Sequence, residues 1–148
     1  MRKLIFFIIL IFPFLSGKVL HPQGNVVGEP LDIQGKVREY HLLDNDSYTV
    51  SGPSIVSIYV RLAVPKNEKG VHSFSIKSFL SDVPESIHNF NKKVDSSVSS
   101  SLHPMHLYTK SAKVEIELPK GEFVLTIKNG SIFGKPILTR VIQRRLKN

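Results

Sequence analysis

IVSIYVRLAV, residues 55–64, places Val56, Ile58, Val60, Leu62 and Val64 on one side of an extended chain and Ser57, Tyr59, Arg61 and Ala63 on the other. Side chains of a strand point alternately to opposite faces. A period of two held over ten residues, in β-branched types, therefore argues for a strand with one face buried. Ser51-Gly52-Pro53-Ser54 before it and Pro65 to Gly70 after it have the composition of turns.

The same alternation recurs on both sides. In His72–Leu80, Phe74, Ile76 and Leu80 oppose Ser73, Ser75 and Lys77. Val114, Ile116 and Leu118 oppose Lys113, Glu115 and Glu117. Phe123, Leu125 and Ile127 then line the next run, past Pro119-Lys120-Gly121. Two runs joined by so short a turn predict an antiparallel hairpin. Asn129-Gly130 is a further turn, and Ile137–Ile142 a last strand. Weaker strands are expected over Val37–Leu43, Tyr48–Val50, Phe90–Val98 and Met105–Thr109, with Ser96–Ser101 a polar loop or strand end. A helical turn near Val83–Asn89, capped by Asp82 with Pro84 in its first position, is the one helical signal. Seven to nine short strands predict an all-β domain, a single antiparallel sandwich of the immunoglobulin-like or jelly-roll-like kind. It is preferred over a small barrel because the runs look unequal in length.

The flanks set the context. MRKLIFFIILIFPFLSG, residues 1–17, has a basic start, a twelve-residue apolar run and a small-residue end, the pattern of a cleavable secretory signal peptide. The apolar run is well short of a membrane span. An exported protein, secreted or periplasmic, is expected. Residues 18–30, with two prolines and two glycines, read as an N-terminal arm or linker, and 31–148 as the domain. The chain has 148 residues, no cysteine and no tryptophan. Disulfides, thiol nucleophiles and cysteine-bound metals are therefore excluded. The formal charge is +8, and +6 once Arg2 and Lys3 are removed with the leader.

Four positive residues, Arg140, Arg144, Arg145 and Lys147, lie in the last nine, with no acidic residue after Glu122. Such an end suits contact with anionic lipid, lipopolysaccharide or acidic polysaccharide. It serves equally to keep an edge strand soluble. Export and the lack of an aromatic–basic platform argue against nucleic acid. Tyr40, Tyr48, Tyr59 and Tyr108 are candidates for stacking on sugar rings. Tyr59 shares a strand face with Arg61.

Signs of catalysis are sparse. No serine sits in a G-x-S-x-G elbow and no glycine-rich phosphate loop occurs. Asp44 and Asp46 flank Asn45 and read as a turn in preference to a calcium site. His103 and His106 are the candidate metal ligands. Pro104 disfavours a helix at His103, and in a strand an odd spacing would send the two rings to opposite faces, so a plain loop is the preferred reading. His41, His72 and His88 read as surface residues. No cofactor is implied.

VEIELPKGEFVLTIKNG, residues 114–130, resembles the central hairpin of PEGA-type and related bacterial extracytoplasmic sandwich domains. SYTVSGPSIVSIYVRL, residues 47–62, is similar to the opening strands of secreted envelope modules. The resemblance implies location and architecture and carries over no site residue. The expectation is a non-catalytic exported module that binds a partner protein or polysaccharide of the cell envelope. Tyr59, Arg61, Arg140, Arg144 and Arg145 would be its contact residues. The alternatives are a metal-binding protein or metal-dependent hydrolase using His103 and His106, and a structural subunit that pairs through an exposed strand edge.

Overall fold

A computed structural model describes residues 17–24, 26–81, 83–131 and 134–146. The expected signal peptide, apart from Gly17, lies outside the described residues, as do Asp82 and Lys147. Among the described residues ten strands form: β1 (Lys18–Leu20), β2 (Gly28–Ile33), β3 (Lys36–Leu42), β4 (Asn45–Pro65), β5 (Val71–Leu80), β6 (Ser86–Asp95), β7 (Val98–Ser99), β8 (His106–Thr109), β9 (Ala112–Asn129) and β10 (Ile137–Arg145). The fold is all-β, as the alternation requires.

The ladders are antiparallel throughout. β4 pairs with β8, β8 with β6, β6 with β5, β5 with β9 and β9 with β4, which closes a five-stranded barrel. Outside it β10 pairs with β4, β1 and β3. The β3 strand pairs in turn with β2, and β2 with β7. Unequal run lengths had argued against closure. They turn out to permit it, because β4 (21 residues) and β9 (18 residues) each reach more than one neighbour along their length.

The expected hairpin about Pro119-Lys120-Gly121 does not form. Residues 112–129 are one strand, and both halves pair with β4. The register shifts by one between Gly52↔Gly121 and Ser54↔Leu118, so β9 carries an extra residue there. A bulge of one residue exchanges the two faces of a strand. Val114 and Leu118 before it, and Leu125 and Ile127 after it, therefore all reach the same core. Ser51–Ser54 is likewise no turn but the middle of β4. At this point a Cβ on Gly52 would stand 1.8 Å from the Pro119 carbonyl oxygen, so only glycine lets the two backbones approach.

Two other segments differ from expectation, and a third takes one of its two expected forms. Residues 18–30 are paired at both ends, through β1 on β10 and the start of β2 on β3, where an arm or linker was expected. Val83–Asn89 forms no helical turn, and β6 begins at Ser86. Ser96–Ser101 contains β7, because Val98 is needed as a buried apolar contact.

Two cores result. The larger takes Val56, Ile58, Val60, Leu62 and Val64 from β4, the face predicted from the sequence. These pack with Phe74 and Ile76 of β5 and the apolar face of β9. The smaller lies on the opposite face of β4. Here Leu31 of β2, Tyr40 of β3 and Val98 of β7 cover Ala63, Tyr108 of β8 and Leu138 of β10. The β2–β3 hairpin thus lies as a second layer over the outer face of the barrel wall.

The polar residues caught in this packing predict a pH response. His41, expected at the surface, is buried, and neither ring nitrogen has a partner. Burial, aided by nearby His21, pushes its pKa below 6.5, and burial does the same to His88. Below pH 6.5 the unfolded chain then takes up protons that the folded chain resists, so stability falls with falling pH. The melting temperature is expected to drop by several degrees between pH of about 7.5 and about 5. The His41→Gln variant should show a flatter profile in the same thermal-denaturation series.

Candidate cationic cleft

Strand pairing decides which side chains share a face. On β3, Lys36, Arg38 and Tyr40 share the face turned toward the β4–β10 wall, opposite Ile33, Leu31 and Glu29 of β2. On β4, Tyr59 and Arg61 face the same way, opposite Arg140 and Leu138 of β10. Between the hairpin and this wall lies a cleft of about 530 Å³. Lys36, Arg38, Arg61, Arg140 and Arg144 line it together with Tyr40 and Tyr59. Among the described residues, no carboxylate lines it.

Four of the five expected contact residues meet here. Tyr59, Arg61, Arg140 and Arg144 line the cleft, whereas Arg145 falls on the other face of β10, opposite Ser54. Their settings differ. Arg61 is only 6% exposed: it donates to the Thr109 carbonyl at 2.9 Å and to the Tyr40 hydroxyl at 3.3 Å, and sits 3.9 Å from Asp95. The Asp95 carboxyl is held below its ordinary value chiefly by the Ser97 hydroxyl at 2.6 Å, with Arg61 adding to it. Arg61 is thus anchored as well as displayed. Arg140 is half-buried, and its Nε has no partner. Tyr59 is half-buried with the Lys113 ammonium 5.6 Å from its ring centroid. Lys36, Arg38 and Arg144 are exposed.

Lys36 and Arg38 were missed at the sequence level. The signal was there: KVREYHL alternates cation, cation and tyrosine on one face, but the weak apolar pattern of the run hid it. Of the other tyrosines, Tyr48 and Tyr108 are wholly buried and offer no stacking face.

A second group gathers around His103 and His106, the candidate metal ligands of the sequence, and Glu29, which the sequence did not single out, joins them. His103 precedes β8 in a turn closed by the His106 amide donating to the His103 carbonyl at 3.1 Å. Since His103 is not in a strand, the odd spacing does not separate the rings. They stack with centroids 5.0 Å apart. Glu29, 6% exposed, accepts from the Tyr108 hydroxyl at 2.6 Å and lies 2.7 Å from His103 Nδ1. Burial raises the Glu29 pKa, but the bonds from Tyr108, His103 and Ser100 outweigh it and hold the carboxyl below its ordinary value.

No protein-family model matches the chain, and no curated protein matches it. Among solved structures it is similar to the catalytic domain of a GH87 alpha-1,3-glucanase in complex with nigerose. The TM-score is 0.42 at 10% identity, over 90% of this chain and 29% of that one. It is also similar to an exo-beta-1,3-galactanase from Phanerochaete chrysosporium with galactose. There the TM-score is 0.41 at 15% identity, over 86% of this chain and 29% of that one. The chain therefore spans less than a third of the length of either enzyme.

Proposed function

We propose that the protein is an exported, non-catalytic β module whose cleft binds an anionic polysaccharide of the cell envelope. The observation that carries this reading is the lining: five cations and two tyrosines with no carboxylate among them. Cations gathered in a concave, partly dry site focus a positive field and raise the local concentration of an anionic ligand. Arginine forks suit the paired oxygens of carboxylate groups, and the Tyr59 ring offers a flat face to a sugar. The residues that line the cleft include no carboxylate or histidine, the side chains that most often serve as a general acid–base pair. The second layer that β2 and β3 lay over β4 and β10 supports the sandwich-type reading of the module.

The test is affinity for polygalacturonate against neutral dextran, measured at several salt concentrations. Binding should be selective for the acidic polymer and weaken with salt. The double variant Lys36→Glu/Arg38→Glu should lose affinity by about tenfold or more, with an unchanged melting temperature, because both side chains are exposed. Equal affinity for dextran, or no loss in the double variant, would contradict the proposal.

A further inference from the structure

We propose that Glu29, His103 and His106 form a binding site for one divalent transition-metal ion of the zinc type, with an open coordination position toward solvent. The site does not depend on the reading of the cationic cleft. Its three donor atoms all lie within 4.8 Å of one another. They come from separate parts of the chain: Glu29 from β2, His103 from the turn before β8 and His106 from the first residue of β8.

Three features support a site over a chance cluster. The first is the donor set. Two imidazoles and one carboxylate suit zinc and its neighbours, whereas calcium and magnesium take oxygen ligands. The second is the support of the carboxylate. Glu29 is buried, and the Tyr108 hydroxyl pins its Oε1 at 2.6 Å, the kind of outer hydrogen bond that orients a metal ligand. The third is access. His103 has a side chain 48% exposed while Glu29 is covered, so the group is closed on the protein side and open on the other.

The geometry lies near that of a bound site. Tetrahedral zinc with ligands at about 2.0–2.1 Å sets donor atoms about 3.3 Å apart. Here His103 Nδ1 and Glu29 Oε1 are 2.7 Å apart, and the widest separation is within 4.8 Å. Closing on an ion therefore takes shifts of about 1 Å, within reach of side-chain rotation in an exposed turn.

The experiment is a calorimetric titration of the metal-free full chain, processed as the cell processes it, with zinc chloride at neutral pH. Bound metal is counted by elemental analysis after dialysis. One zinc per chain is expected, together with a zinc-dependent rise in melting temperature. His103→Ala and His106→Ala should each weaken binding by at least tenfold. The metal-free His106→Ala variant should melt near the metal-free wild type, since that ring is not buried, whereas His103→Ala also gives up the bond to Glu29 and loses some stability with it. His21→Ala/His41→Ala controls for the other histidine pair, whose rings lie 5.9 Å apart, and should bind zinc normally. Less than one zinc per chain in the wild type would overturn the proposal. So would unchanged binding in the His103 and His106 variants, or a loss that follows the His21/His41 control instead.

Discussion

Gly52→Ala is expected to lower the stability of the folded chain by about 3 kcal/mol, which for a domain of this size means a drop in melting temperature on the order of 10 °C. The added Cβ would lie 1.8 Å from the Pro119 oxygen, 2.6 Å from the Pro119 carbonyl carbon and 2.7 Å from the Leu118 oxygen. All three obstacles are backbone, so no rotamer change relieves them. The clash falls at the bulge that brings the two halves of β9 into one core, so the strands must part where the register changes. Gly28→Ala is the matched control. There the nearest obstacle is the Glu39 carboxylate, the far end of a flexible side chain, and the cost should stay within about 1 kcal/mol. Urea or thermal denaturation of the two variants separates them. Equal, small losses would mean that β4 and β9 do not meet as described.

Arg61→Ala is expected to cost about 2 kcal/mol, an effect on stability and not only on binding. Truncation removes the donors to the Thr109 carbonyl and the Tyr40 hydroxyl, both on the covered side of the cleft. It also leaves Asp95 without its cation, although Asp95 is partly exposed and water offsets some of that loss. Arg61→Lys should recover only part of the stability, since an ammonium cannot reproduce the fork that reaches Thr109 and Tyr40 together. Tyr59→Ala, at a half-buried position in the same cleft, should weaken ligand binding with a smaller change in melting temperature. Chemical denaturation of the three variants, set against their affinities, distinguishes anchoring from contact.

What the sequence makes legible is what depends on single strands. The alternation in residues 55–64 names the core face of β4 residue by residue, and the polar face carrying Tyr59 and Arg61 is the wall of the cleft. What it conceals depends on pairing between distant residues. Leu118 and Phe123 have opposite parity, which within one ladder looks like a fold-back at Pro119-Lys120-Gly121. A bulge produces the same parity change without reversing the chain, and only the partner strand decides between them. The sites follow the same rule. Arg140 and Arg144 were legible as a basic cluster, but Lys36 and Arg38 join them only because β2 and β3 cross over the wall. Glu29 reaches His103 across 74 positions of sequence, a distance no local spacing encodes.

The most direct test of the central claim, that the space between the β2–β3 layer and the β4–β10 wall is where an anionic ligand binds, is a backbone amide NMR titration with an oligogalacturonate. Chemical-shift changes gathered on residues 36–40, 59–61 and 140–144, and lost in Lys36→Glu/Arg38→Glu, are the predicted result. Changes centred on Lys92 and Lys93 of β6, with the cleft silent, would contradict it.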